Sequence, residues 1–174
     1  LVFWGTRTAA ARGESNASAN LFAVPEIYDG TGSGQPGTLE QLEYETKAYA
    51  TDLRTVTKTA WVYIPYGYDP DGQYNILYLL HGTGDDEAYW LKKFSYNKTM
   101  VDNLIARGVI DPLIIVTPTF YVEEDCMDSL DDLTYSFRDE LRNDLMPAVE
   151  SKYSTYAETA DESGFSGSRE HRAF

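Results

Sequence analysis

The apolar positions along the chain change their period several times, and each change marks an element. Leu39 to Tyr49 scatters apolar residues among acidic ones and predicts an edge strand. Thr57 to Ile64 alternates, with Thr59, Trp61 and Tyr63 on one side and Ala60, Val62 and Ile64 on the other. That is the two-residue period of a strand. Pro65 ends it, and Asp69-Pro70-Asp71-Gly72 is a turn sequence. Tyr74 to Leu80 and Pro112 to Thr117 are nearly continuous apolar runs of strand length. Such runs fit strands covered by helices on both faces. Between them, Met100, Val101, Leu104 and Ile105 recur at helical spacing within Thr99 to Arg107, and Gly108 is a natural helix stop. From Asp131 to Tyr153, Leu133, Phe137, Leu141, Leu145, Val149 and Tyr153 recur every four residues. Asp131 or Asp132 is placed to cap this helix, and Pro147 predicts a kink. Glu158 to Ser168 reads as polar loop, and His171-Arg-Ala-Phe174 as the opening of another strand.

Buried strands that alternate with helices predict an α/β fold with a largely parallel central sheet. Residues 1–37 differ: Thr8 to Ala19 is small and polar, and Asp29 to Gly37 is rich in turn residues. They read as a tail or linker ahead of a domain that occupies 38–174, the other reading being a surface loop of that domain.

Composition narrows the function classes. Fourteen basic against 28 acidic residues give a net charge of −14, so nucleic acid and anionic membrane are poor partners. No apolar run approaches the roughly 20 residues of a spanning helix. One cysteine, Cys126, and two histidines, His81 and His171, exclude an internal disulfide, a cysteine-rich zinc site and a His-only metal site. The acidic runs Asp85-Asp86-Glu87 and Glu123-Glu124-Asp125 lack the spacing of a calcium loop and read as solvated charge. No metal or cofactor is expected. Asn16-Ala17-Ser18 and Asn97-Lys98-Thr99 fit the glycosylation sequon, a pattern common by chance.

The most informative local feature is the exit of the first buried run, Leu79-Leu80-His81-Gly82-Thr83-Gly84. Open α/β sheets build their sites outside the carboxyl ends of strands. A glycine-rich turn there can aim backbone N–H groups at a developing oxyanion; it can equally be a tight strand exit without chemistry. His81 in such a turn reads as structural rather than as a base, and His171 more so. Trp90, Phe94 and Tyr96 follow this loop, and Phe120 and Tyr121 follow the second buried run. Both groups should lie on the same edge of the sheet, where Trp90, Phe120 and Tyr121 would form a rim for an aromatic or sugar ligand, or simply pack under a loop. A nucleophile is missing from this picture. The elbow G-x-S-x-G has no match; Gly164-Phe165-Ser166-Gly167-Ser168 comes nearest, but it ends in serine and follows no strand. Cys126 has no identifiable partner base.

At these residues the sequence resembles the feruloyl esterases of carbohydrate esterase family one, particularly the esterase domains attached to bacterial xylanases. The resemblance is carried by Asn75-Ile-Leu-Tyr-Leu-Leu-His-Gly82, by Pro112-Leu-Ile-Ile-Val-Thr-Pro-Thr-Phe120, by Phe137 through Leu145 with Pro147, and by Val149-Glu-Ser-Lys-Tyr-Ser-Thr-Tyr156. It covers residues 38–174 and leaves 1–37 unmatched. It implies an α/β-hydrolase fold, incomplete here, and Ser-His-Asp hydrolysis of ferulate esters on arabinoxylan side chains. In that family a segment like Ser168-Arg-Glu-His-Arg-Ala-Phe174 runs directly into the nucleophile elbow. The resemblance therefore implies that the catalytic serine, acid and histidine lie beyond Phe174. It implies that Gly82 and Thr83 supply the first oxyanion donor, Thr83 N–H being the favoured group. The chain by itself is then expected to be inactive and to expose apolar sheet edges. Secretion, and fusion to xylanase or carbohydrate-binding domains, are further implications. The alternatives are an acetylxylan esterase, a thioester hydrolase of the esterase D type, and a non-catalytic carbohydrate-binding remnant.

Overall fold

The computed structural model describes residues 32, 34–122 and 130–174. Within them, five strands form one sheet in the order β1-β2-β4-β3-β5. Strand β1 is Thr38–Lys47, β2 Thr55–Ile64, β3 Asn75–Tyr78, β4 Leu113–Thr117 and β5 Arg172–Ala173. The sheet is mixed. β1 and β2 form an antiparallel hairpin, and β2 joins β4 antiparallel through Trp61 opposite Thr117 and Tyr63 opposite Ile115. Only β4, β3 and β5 run parallel. The parallel sheet expected from the buried runs is thus confined to one half.

Strand parity divides the core into two layers. Val62, Ile64, Ile76, Tyr78, Ile114 and Val116 point to one face and pack against Leu133, Phe137, Leu145, Met146 and Val149. Tyr63, Leu77 and Ile115, the residues between, point to the other face and meet Leu91, Val101 and Ile105. This is why the runs around β3 and β4 are apolar at successive positions.

Helix α1, Ser95–Ala106, covers the second face. It ends as its sequence predicts. Gly108 adopts φ +66°, its N–H reaches the carbonyl of Ile105, and Val109 N–H reaches that of Leu104. This Schellman arrangement needs a left-handed residue, which glycine provides without a Cβ clash.

The helical stretch over the first face departs from expectation. Helix α2, Leu130–Glu140, passes into a π-helical turn, Leu141–Leu145, and then into α3, Met146–Glu150. Pro147 has no N–H to donate one turn back. The ladder is relieved by a wider turn just upstream rather than at the proline itself. Asp131 and Asp132 sit inside the first turn of α2, where they face the positive end of the helix dipole, rather than capping from outside. Glu158 to Ser168 is also not all loop. Glu162–Gly167 forms α4, capped by Asp161, whose carboxylate accepts the N–H groups of Ser163 and Gly164. Gly164 is required there, because a Cβ would lie 1.9 Å from the carbonyl oxygen of Thr159.

The start of the described domain is packed. Gly37 N–H donates to the buried carboxylate of Asp102 on α1 at 2.8 Å, and a Cβ at Gly37 would meet Ile64 O and the Tyr63 ring at 2.5 Å.

Candidate active-site loop

The carboxyl ends of β3 and β4 lie side by side, so Leu79 to Gly84 and Pro118 to Tyr121 emerge at the same edge. The first stretch continues the ladder briefly, with Leu79 N–H on Val116 O at 2.8 Å. His81 then turns inward and is 6% exposed. Its Nδ1 lies 2.7 Å from Gly82 O and its Nε2 2.8 Å from Thr119 Oγ1. A carbonyl only accepts, so Nδ1 carries a proton, and Nε2 shares a hydrogen bond with the Thr119 hydroxyl, which can donate or accept. Both ring nitrogens are occupied. The imidazole also packs on Phe120 and stacks on Tyr121, with centroids at 4.6 and 5.5 Å. His81 is a brace for the loop, and no free nitrogen remains to act as a base.

A second brace comes from Tyr121. Its hydroxyl accepts Gly84 N–H at 2.9 Å, while its own N–H donates to Thr119 Oγ1 at 3.2 Å. Gly84 has φ +86°, a conformation side chains resist. The loop is thus held at Gly82 through His81 and at Gly84 through Tyr121. Between the two anchors Gly82, Thr83 and Gly84 are exposed. Among the described residues no acceptor takes the backbone N–H of Thr83. A fixed loop with an exposed residue whose N–H has no acceptor among the described residues suits stabilisation of an oxyanion.

The expected rim separates into two roles. Trp90 and Tyr121 are half-buried beside the loop. Trp90 is fixed at both ends: its indole N–H donates to Leu80 O at 2.8 Å, and its own carbonyl accepts from Asn97 Nδ2 at 2.9 Å. Phe120, by contrast, is 6% exposed and belongs to the core under His81. It supports the rim from below and presents no face to a ligand. Past the end of β4 at Thr117 the chain leaves the strand; Phe120 enters the buried cluster, and Tyr121 packs half-buried against it.

Other candidates fall into structural roles. His171 Nδ1 bonds Asn75 Oδ1 at 2.9 Å, and its ring stacks on Tyr156. Asp86 accepts Ala88 N–H and pairs with Lys93, and Glu87 accepts from Thr59 Oγ1, so the Asp85 to Glu87 run is absorbed by its own turn and by β2. The Asn97 amide of the second sequon is spent on Trp90 O. Ser166 lies within α4, not at a strand-to-helix elbow. Cys126 and Glu123 to Asp125 lie outside the described residues, as does the first sequon. Among the described residues, no three metal-ligating side chains converge.

The family model "Putative esterase" matches residues 56–167. The chain belongs to this esterase family. The matched span includes the braced loop and both strands that carry it. The esterase chain is 43% identical over 118 residues to "Endo-1,4-beta-xylanase Y" of Acetivibrio thermocellus, covering 68% of this chain and 10% of that protein. It is 34% identical over 107 residues to "Endo-1,4-beta-xylanase/feruloyl esterase" of Xylanibacter ruminicola, covering 58% of this chain and 15% of the relative. Among solved structures, a mutant of the feruloyl esterase module from Clostridium thermocellum, complexed with sinapinate, superposes with a TM-score of 0.71 at 35% identity. That match covers 94% of this chain and 53% of the module. The fold of the esterase chain is therefore of the α/β-hydrolase type, and the chain spans about half the length of that solved relative.

Proposed function

We propose that this chain supplies the oxyanion loop and part of the substrate rim of a serine ester hydrolase that releases ferulate from arabinoxylan side chains. The observation that carries the reading is the Thr83 N–H, left unpaired on a loop braced by His81 and Tyr121 at the carboxyl edge of the sheet. The nucleophilic serine, its histidine and the acid that orients it belong to sequence following Phe174. In the reaction the serine oxygen adds to the ester carbonyl as the histidine takes its proton. The carbonyl oxygen gains negative charge and meets Thr83 N–H. The bond to the sugar oxygen then breaks, and the histidine returns the proton to that oxygen. Water repeats the sequence on the acyl-enzyme and frees ferulate. Trp90 and Tyr121 flank the acyl group. The partner is a plant cell-wall ester; the protein is secreted, and the esterase is joined to a xylanase, a pairing that the name of the Xylanibacter ruminicola relative carries.

The test begins with the coding sequence past the codon for Phe174, where a G-x-S-x-G elbow is expected, followed by an acid and a histidine. The complete protein is then assayed on methyl ferulate, acetylated xylan and S-formylglutathione. Methyl ferulate is expected to give the highest kcat/KM. Preference for either of the other two moves the protein to another ester chemistry, and absence of an elbow removes the catalytic reading.

A further inference from the structure

The esterase reading uses Trp90 but leaves three neighbouring aromatic residues without a role. Tyr89 meets Trp90 edge to face at 5.0 Å, Phe94 meets Tyr89 at 4.9 Å, and Tyr96 meets Phe94 at 5.8 Å. The four rings form a continuous strip. Its inner end is pinned to the braced loop by the bond from Trp90 Nε1 to Leu80 O. Its outer end is open, with Phe94 37% and Tyr96 55% exposed.

Core packing does not account for this strip. Tyr89, Phe94 and Tyr96 belong to neither hydrophobic cluster of the described residues. The segment that carries them is nevertheless held firmly. Thr117 Oγ1 donates to Glu87 O at 2.7 Å, and Asn97 clamps Trp90 O. Successive rings meet edge to face at 71–85°, and the exposed part of the strip is Phe94 and Tyr96 at its outer end. Ring faces held rigidly in water bind the C–H faces of sugar rings, because that contact removes apolar surface at little cost in side-chain entropy. The lysines near the strip in sequence are engaged: Lys93 pairs with Asp86, Lys98 with Asp102, and Lys92 lies over the Trp61 ring. A chain of net charge −14 repels polyanions but not a neutral polymer.

We infer that Tyr89, Phe94 and Tyr96 form a stacking platform for the neutral sugar main chain of the polysaccharide that bears the scissile ester. The inference rests on the esterase reading for the position of the reacting carbonyl. It adds where the polymer runs: from the oxyanion loop, past Trp90, and outward over the start of α1. The platform acts on the polymer and leaves the acyl group untouched.

The test compares a polymeric with a small ester in the complete protein. The variant Phe94→Ala with Tyr96→Ala is expected to raise KM for feruloylated arabinoxylan about tenfold, the effect of losing roughly two ring contacts. Kinetics on methyl ferulate should not change. Conservative Tyr96→Trp should keep the low KM. An unchanged KM on the polymer overturns the platform. So does an equal loss on both substrates, which marks the rings as packing contacts. If the unmutated protein hydrolyses neither ester, the esterase reading fails, and the platform is decided by calorimetric titration with unsubstituted xylohexaose. Binding that the double variant abolishes supports the platform, and absence of binding overturns it.

Discussion

Thr83 and Tyr121 divide the work at the candidate site between a donor and its support, and substitutions can separate them. Thr83→Pro removes the backbone N–H; in the complete protein kcat should fall by about 10²–10³, the usual effect of losing one oxyanion donor. Thr83→Ala keeps the N–H and should keep kcat, which distinguishes a backbone role from a side-chain one. Tyr121→Phe removes only the hydroxyl that accepts Gly84 N–H while retaining the stack on His81. One hydrogen bond of roughly 0.5–1.5 kcal/mol is lost, so kcat should drop by about 2–13-fold with KM for methyl ferulate unchanged. A rise in KM alone would instead make Tyr121 a wall of the acyl pocket. Steady-state kinetics on the three variants decides between these roles.

At the level of elements, the sequence pattern was readable where one residue's environment repeats along the chain. The two-face parity of β2, β3 and β4 follows from runs such as Leu113 to Thr117, and the Schellman end of α1 follows from Gly108. Features set by one contact at a distance were not readable. The brace from Tyr121 to Gly84 spans 37 residues, and that from His81 to Thr119 spans 38. Only the alignment of β3 with β4 makes them neighbours. Phe120 looked like a rim residue because sequence places it at the correct edge without saying which way it points. Helix α4 was hidden because its polar residues carry no amphipathic period; it exists through the Asp161 cap and the tight fit of Gly164 under Thr159. That fit predicts that Gly164→Ala destabilises the protein by about 1–3 kcal/mol through overpacking against fixed backbone. Gly167→Ala meets nothing within 4 Å and should have little effect. Urea unfolding of the two variants provides the comparison.

On the scale of the whole molecule, the layers are tied together by buried carboxylates that each hold a tyrosine. Glu140 on α2 accepts from Tyr44 of β1 at 2.7 Å and pairs with buried Lys58 of β2. Glu150 on α3 accepts from Tyr78 of β3 at 3.1 Å and takes a two-point contact from Arg172 of β5. Asp102 on α1 accepts from Tyr63 of β2 at 2.8 Å and pairs with Lys98. Burial pushes Lys58 down and Glu140 up from their ordinary values, against their mutual attraction. Lys58→Met alone should therefore cost about 3–5 kcal/mol by stranding Glu140, whereas Lys58→Met with Glu140→Leu and Tyr44→Phe, which leaves no member of the cluster unpaired, should cost much less. The tyrosines give the molecule a distinct alkaline limit. Burial first, and the adjacent carboxylate second, hold the phenols of Tyr44 and Tyr78 far above the ordinary value of 10.0; for Tyr63 burial again comes first, then its bond to Asp102. A phenol with a raised folded value keeps its proton in the fold while the unfolded chain loses it. The stability it contributes is full below pH 10 and declines above it, by about 1.4 kcal/mol per pH unit for each such group. Three of them give a slope of about 4 kcal/mol per pH unit, enough to exhaust the roughly 5–15 kcal/mol of a typical domain within a few pH units. Circular dichroism and phenolate absorbance, followed together from pH 9 upward, should therefore show these phenols ionising only as the fold is lost. Tyr78→Phe should make the stability-against-pH slope shallower by one group. Ionisation of all tyrosines ahead of unfolding would mean that the carboxylate–phenol ties are open to solvent, and that the layers are held by the apolar core alone.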